Sequence, residues 1–322
     1  MNRSRIKPKT ILVTGAGGSL ARRVMARLVD RHQVIAVDFR RKVETDAHIP
    51  SYQVDLRKRR FEDIFREHSI DGIIHLGRIL TNEYSRFRRY NDNVLGTRRL
   101  FDLAAKYQVS KVVVHSTHFV YGADAYNPAP IPETSPLKAS ELTMDLVDAV
   151  ELENLAQIYL WRHPQLHMTV LRPCNIVGPG VRNSMSRLLS GRIAPALAGF
   201  SPIMQFLHVE DMADAVVAAF ERRGKGVFNV APNDWVAYQD FLRACGCRVL
   251  PLPSLPPFLP RRISELMGWQ SFPPYLINFF KYPVVLDGHG FAESYRWQPQ
   301  HSLSDISTYY RSKKRRRSDS ST

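Results

Sequence analysis

Short uncharged runs alternate with longer amphipathic stretches through the first half of the chain. Ile11-Leu12-Val13 precedes a glycine turn and a segment that sets Leu20, Val24 and Leu28 on one helical face. Residues 34–37 form a second apolar run that ends at Asp38, and the runs 72–76, 111–115 and 168–171 repeat the pattern. Helical stretches such as 94–107 and 146–161 separate them. Strands without polar alternation are covered on both faces, and strands spaced by helices pair in parallel. The pattern predicts a doubly wound α/β fold around a parallel sheet.

After Pro173 the texture changes. Residues 193–207 are uncharged and carry Pro195 and Pro202, and residues 249–283 are crowded with proline and aromatics, as in Pro256-Pro257-Phe258 and Phe272-Pro273-Pro274-Tyr275. The expected organisation is a nucleotide-binding domain over 10–173, to which 205–230 returns. A smaller, irregular C-terminal lobe over 174–204 and 231–300 covers the substrate, and 1–9 and 301–322 are basic, flexible ends. A chain of 322 residues, 44% hydrophobic and 23% charged, is long enough for this plan.

Charge and cysteine content alter the picture little. Much of the formal charge of +15 sits at the ends: Arg3, Arg5, Lys7 and Lys9 at one, Arg311, Lys313, Lys314 and Arg315–Arg317 at the other. Such a tail can touch nucleic acid or an anionic membrane surface, but a solvated end is the plainer reading. Cys174, Cys245 and Cys247 have no second ligand cluster at zinc-like spacing, so reduced structural thiols and no metal are expected. No run reaches the ~18–20 apolar residues needed to span a bilayer, and no signal-peptide core follows the basic start. The expected location is the cytoplasm.

The chemistry starts at Thr14-Gly15-Ala16-Gly17-Gly18-Ser19-Leu20-Ala21, between the first strand and the first helix. Gly15 permits a tight turn, Gly18 lets backbone approach a pyrophosphate, and Gly17, Ser19 and Leu20 bring N–H groups to the anion. Asp38, ending the next strand, suits the two hydroxyls of an adenine ribose and repels a 2′-phosphate. NAD is therefore favoured over NADP, although Arg40 and Arg41 follow closely.

These pieces continue in order as Val54-Asp55-Leu56, Ile74-His75-Leu76-Gly77, Asn93 with Gly96-Thr97, and Ser116-Thr117-His118-Phe119-Val120-Tyr121-Gly122. Leu171-Arg172-Pro173-Cys174-Asn175, Phe206-Leu207-His208-Val209-Glu210-Asp211, Gly226–Val230 and Trp297-Gln298-Pro299 complete them. Over residues 10–300 the series resembles the extended short-chain dehydrogenase/reductases, the NAD-dependent epimerases and dehydratases among them. The resemblance implies a Rossmann sheet and a homodimer formed through helices 94–107 and 146–161. It places Asp55 and Leu56 beside adenine, Leu76 and Gly77 along the ribose and pyrophosphate path, Asn93 and Thr117 on the cofactor side, and Asn175 on the substrate side.

The family's catalytic set is incomplete. Thr117 matches the hydroxyl that polarises the substrate oxygen. The Tyr-x-x-x-Lys pair falls instead on Asp145 and Ala149, in a register that sets the family's helical glutamate at Glu153, and no tyrosine or lysine occurs over 139–158. His118, Asp145 and Tyr126 are the substitute acid/base groups considered, an imidazole being able to shuttle a proton unaided. His118-Phe119 stands where dehydratases carry Asp-Glu, and Met204 where a diphosphate-gripping arginine is common. These departures point to a more apolar alcohol or ketone. The function expected is an NAD-dependent oxidoreductase or epimerase acting on a hydroxyl or ketone with altered acid/base residues. The alternative is a non-catalytic NAD(H)-binding pseudoenzyme serving as redox sensor or scaffold.

Overall fold

The protein is seen in a computed structural model that describes residues 7–44, 48–79, 85–253 and 275–319. Arg3 and Arg5, and the proline clusters at 256–257 and 273–274, lie outside the described residues.

Seven strands form the expected parallel sheet. In chain order, β1 (Thr10–Thr14) leads into α1 (Ser19–Leu28), β2 (Gln33–Asp38), β3 (Ser51–Gln53), α2 (Arg59–Glu67) and β4 (Gly72–His75). Next come α3 (Arg86–Tyr90), a π turn (Asn91–Leu95), α4 (Gly96–Lys106), β5 (Lys111–His115) and a 3-10 turn (His118–Tyr121). A short α5 (Ala139–Leu142) and a 3-10 turn (Met144–Leu146) precede α6 (Val147–Arg162) and β6 (His167–Pro173).

The lobe begins with β7 (Asn175–Val177), α7 (Ser184–Ser190), β8 (Ile193–Leu197), β9 (Ile203–Met204) and β10 (Phe206–His208). Then α8 (Val209–Glu221) and β11 (Gly226–Val230) rejoin the main sheet, and β12 (Val236–Ala237), α9 (Tyr238–Ala244) and β13 (Arg248–Leu252) follow.

The sheet order is β11-β6-β5-β4-β1-β2-β3. Ile11, Leu12, Ile73, Ile74 and Val112–Val114 are fully buried, as continuous apolar runs require when helices cover both faces. On one face α1 and α8 pack through Val24, Met25, Met212 and Val216, and on the other α2, α4 and α6 pack through Phe61, Phe101 and Leu152. The order of strand addition reverses between β1 and β4, which opens a crevice at their carboxyl ends.

Two expectations need correction. The helix expected over 94–107 is the last part of a longer helical run that begins at Arg86 and passes through the π turn, where Asn93 is buried. There Asn93 Oδ1 accepts from Ile79 N (2.8 Å), while Nδ2 donates to Ile79 O (2.9 Å) and to Asp148 Oδ2 (2.6 Å). The flexible basic end is a helix from Leu303 to Asp319. Its Ile306 and Tyr310, four residues apart, are both buried, and Tyr310 Oη accepts from Gly178 N (3.0 Å) and donates to Ser186 Oγ (2.9 Å). Lys314, counted as a solvated charge, donates from Nζ to Leu189 O and Cys245 O, both at 2.6 Å, and so caps carbonyls at the ends of α7 and α9 with a cation. Among the described residues no helix is long and apolar enough to cross a membrane.

One buried charge organises the centre. Arg172, only 2% exposed, donates to Glu153 Oε1 from Nε (3.1 Å) and Nη2 (2.8 Å), and from Nη1 to Tyr121 Oη (2.7 Å) and Glu133 O (3.0 Å). Tyr121 Oη passes the chain on to Asn229 Oδ1 (2.7 Å). Removing one partner strands the other in a low dielectric. Arg172→Ala is accordingly expected to cost about 3–5 kcal/mol, and Tyr121→Phe only about 1 kcal/mol, in urea unfolding of the purified chain.

Candidate functional site

The crevice between β1 and β4 begins with the glycine turn. Gly15 has φ +69°, and a Cβ there would come within 2.6 Å of Gly77 Cα, so this turn and the loop after β4 touch backbone to backbone. Gly18 N donates to Gly15 O (2.9 Å) and Gly18 O accepts from Arg22 N (3.1 Å), which starts α1 with its first N–H groups at the groove. Gly15, Gly17, Gly18, Ser19 and Leu20 all line a cavity of about 1030 Å³. Ser19 Oγ is engaged with Pro179 O (3.3 Å) and Arg23, tying the turn to the 178–180 loop.

Asp38 closes one end of this groove. Its Oδ2 accepts from Gly17 N (3.0 Å) and its Oδ1 from Arg40 N (2.9 Å), so each oxygen keeps lone-pair capacity for a ligand hydroxyl. Arg40, Arg41, Asp55, Leu56, Leu76, Gly77 and Asn93 also line the groove. Arg41 is held by Gly17 O (3.3 Å), and a hydrogen-bonded pair with Arg57 keeps the Asp55 carboxyl below its ordinary range. Asn93 spends its amide on Ile79 and Asp148 and so positions the loop after β4. A helix N-terminus, a bare glycine backbone and a carboxylate set for paired hydroxyls fit a dinucleotide.

Behind the turn runs a buried relay. Thr97 Oγ1 donates to Asn93 O (2.5 Å), so it accepts from His75 Nε2 (2.9 Å), and His75 Nδ1 then accepts from Thr14 Oγ1 (2.6 Å). Burial pushes His75 down to about 4, which keeps this neutral arrangement in place.

A second cavity, of about 290 Å³, holds Thr117, His118, Phe119, Asn175, Met204 and the aromatic wall Tyr275, Phe279 and Phe280. Thr117 Oγ1 accepts from Phe119 N (3.3 Å) and retains its own proton for a ligand oxygen. Asn175 Nδ2 donates to Gln205 O (3.0 Å). The His118 ring lies tilted against Phe119 with centroids 4.2 Å apart, its Nδ1 donates to Pro173 O (3.0 Å), and burial pushes it down to about 4. Cys174 lines the same cavity, its thiol raised by burial.

Other sequence-stated candidates lie elsewhere. Asp145 lines neither cavity: it accepts from Arg86 Nε (2.9 Å), because the 3-10 turn before α6 directs it toward α3. Tyr126 is 89% exposed in its loop. Glu153 and Arg172 form the central ion pair, and Asp211 fixes Gln300 and His301, so two of the matched motifs carry structure rather than chemistry.

The two cavities share Leu76, Arg78, His115, Ile176, Arg182, Asn183 and Arg187. Arg78, His115, Arg182 and Arg187 were not singled out from the sequence. His115 stands two residues before Thr117, hence on the same face of an extended strand, which is the signal that could have found it. Among the described residues lining the smaller cavity there are three arginines and no carboxylate.

Residues 11–231 match the model of the NAD dependent epimerase/dehydratase family. An uncharacterized protein of Mycobacterium tuberculosis is 27% identical over 256 residues, covering 76% of this chain and 68% of the relative. UDP-glucose 4-epimerase of Neisseria meningitidis serogroup C is 26% identical over 312 residues, covering 83% and 90%. Among solved structures, MoeE5 in complex with UDP-glucuronic acid and NAD superposes with TM-score 0.74 at 22% identity, over 96% of this chain and 99% of that one. UDP-glucose-4-epimerase of Stenotrophomonas maltophila, with NAD and formylated UDP-arabinopyranose, gives 0.75 at 18%, over 97% and 99%. At these identities the structural likeness is one of fold.

The backbone contact between the two loops has a direct test. Gly15→Ala is expected to lose about 1–3 kcal/mol of stability to the strain of a side chain at positive φ, with the Gly77 clash added. Gly199→Ala, at φ +82° with no atom within 4 Å of the added Cβ, isolates the first effect. Equal losses in urea midpoints would show that the Gly15–Gly77 approach is unimportant.

Proposed function

The chain belongs to the NAD-dependent epimerase/dehydratase family, and from that premise we propose that it binds NAD(H) and carries out redox chemistry at a hydroxyl or ketone carbon of an anionic small molecule. One observation supports this above the rest: the groove fitted to a dinucleotide and the cavity holding Thr117 share their lining at Arg78 and His115. Bound NAD would supply hydride acceptance and return at that junction. Asp38 would take the adenine-ribose hydroxyls and the first turn of α1 the pyrophosphate. The Thr117 hydroxyl, with Phe119 N on its lone pair, would donate to the substrate oxygen and stabilise the charge developing there.

The substrate reading moves away from a wholly apolar alcohol. Arg182 and Arg187, with Arg78, face the cavity without a carboxylate among its described lining residues, which favours a phosphate or carboxylate group. The UDP-sugars held by MoeE5 and the Stenotrophomonas epimerase are of this kind. In this reading Arg182 and Arg187 take over from the arginine replaced by Met204, while Tyr275 and Phe279 offer flat surface to a base or sugar.

A second reading keeps NAD(H) binding without turnover. It draws on Asp145 and Ala149, at the acid/base register: the first is bound to Arg86 and the second is packed in the core at 3% exposure. As to assembly, the proposed homodimer would pair the α4 and α6 faces, where Leu95, just before α4, and Ile158 and Trp161 of α6 are exposed.

Nicotinamide fluorescence is expected to report NADH binding that weakens about tenfold or more in Asp38→Ala, as loss of charge-assisted hydrogen bonds implies. Thr117→Val is expected to abolish interconversion of UDP-galactose and UDP-glucose while NADH affinity stays within a few-fold. NADH binding with no turnover of these or related UDP-sugars favours the second reading, and no binding of NADH defeats both. Trp161→Arg should shift the chain from dimer to monomer in analytical ultracentrifugation, and a monomeric parent protein would refute the interface.

A further inference from the structure

With no tyrosine at 145 and no lysine at 149, the proton and the positive charge of the redox step need another source. Three polar atoms at the mouth between the cavities point to one. His115 Nε2, Arg78 Nε and Ser116 Oγ are buried and find no hydrogen-bond partner among the described residues. Buried polar atoms are ordinarily paired, and a cluster of exceptions marks a place where a ligand completes the pairing. All three residues line the smaller cavity, and His115 and Arg78 line the groove as well.

Their supports come from different elements. His115 ends β5, lines the smaller cavity with Thr117 two residues on, and neighbours His75 of β4. Arg78 follows Gly77, in the loop that Gly15 touches and Asn93 holds. The acid nearest Arg78, Asp148 of α6, lies 3.9 Å from its Nη2 and also 3.9 Å from Arg89 of α3, while accepting a shorter bond from Asn93. Asp148 thus steers the Arg78 guanidinium without saturating it, one residue before the position where the family's lysine would stand.

We propose that His115 is the proton-transferring group of this site and Arg78 the cation beside it, the pair replacing the tyrosine and lysine that α6 lacks. The assignment rests on the NAD-dependent reading above. In the oxidising direction the substrate C–H bond breaks and its hydrogen leaves with the electron pair to bound NAD+. The O–H bond breaks as His115 Nε2 takes the proton, and C–O becomes C=O. In the reducing direction every transfer reverses, so a full cycle returns the imidazole to its neutral form. Arg78, with free donors toward the groove, would hold ribose or substrate oxygens as a lysine does. Burial first, and then the Arg78 charge, push His115 down to about 4, so the imidazole is an acceptor at neutral pH.

Histidine-labelled full-length protein can be followed by NMR, with His115 assigned by through-bond correlation and checked by its loss in His115→Gln. Saturating NADH should move the His115 imidazole signal, and ADP, which reaches only the adenine half, should leave it in place. Arg78→Gln removes a positive neighbour that disfavours the imidazolium, so the His115 pKa should rise by about one unit or more. A His115 turned away from both the groove and Arg78 predicts neither change. A signal unmoved by bound NADH, or a nucleotide-free pKa near 6.5 that Arg78→Gln does not alter, overturns the proposal. Failure of the wild type to bind NADH, with the Arg78 effect on His115 intact, counts instead against the NAD-dependent reading.

Discussion

The guanidinium of Arg172 stands where β6, α6, the turn after β5 and β11 converge, out of reach of water. An ion so placed is tolerable only if every neighbour is fixed around it. Glu153 balances the charge, Tyr121 accepts and passes the bond to Asn229, and the carbonyl of Glu133 closes the set. The geometry that satisfies this ion also sets the path of residues 115–121, which carry the hydroxyl and the two histidines of the site. Chemistry at the end of β5 therefore depends on electrostatics one layer below it.

The sheet and the groove were legible because their causes are local. Unbroken apolar runs require cover on both faces, a glycine with positive φ before a helix requires a tight turn, and Asp38 at a strand end faces the crevice whatever surrounds it. The same locality explains the misreadings. Lys314 counted as one more charge in a basic run, because only the fold brings the carbonyls of Leu189 and Cys245 to its ammonium. Asp145 occupied the expected register, yet a 3-10 turn aims it at Arg86. Asn93 lines the groove as expected, and its amide also braces the loop after β4.

Arg78, His115, Arg182 and Arg187 belong to no motif, and their common surroundings arise from three separate segments meeting at one crevice. Spacing along a chain cannot reveal that. The resemblance also points to positions where relatives keep their tyrosine and lysine, and not to Arg78 and His115. What distinguishes these two is a shortage: polar atoms withdrawn from water with no partner among the described residues.

The approach of Gly15 to Gly77 ties these levels together. The turn that would receive a pyrophosphate and the loop that carries Arg78 cannot shift independently, since their backbones meet without a side chain between them. Any ligand that settles one loop restricts the other, and linkage makes the effect reciprocal. The crevice is in this sense a thermodynamic couple, in which occupancy at the adenine side and readiness at the reacting side are two readings of one backbone position.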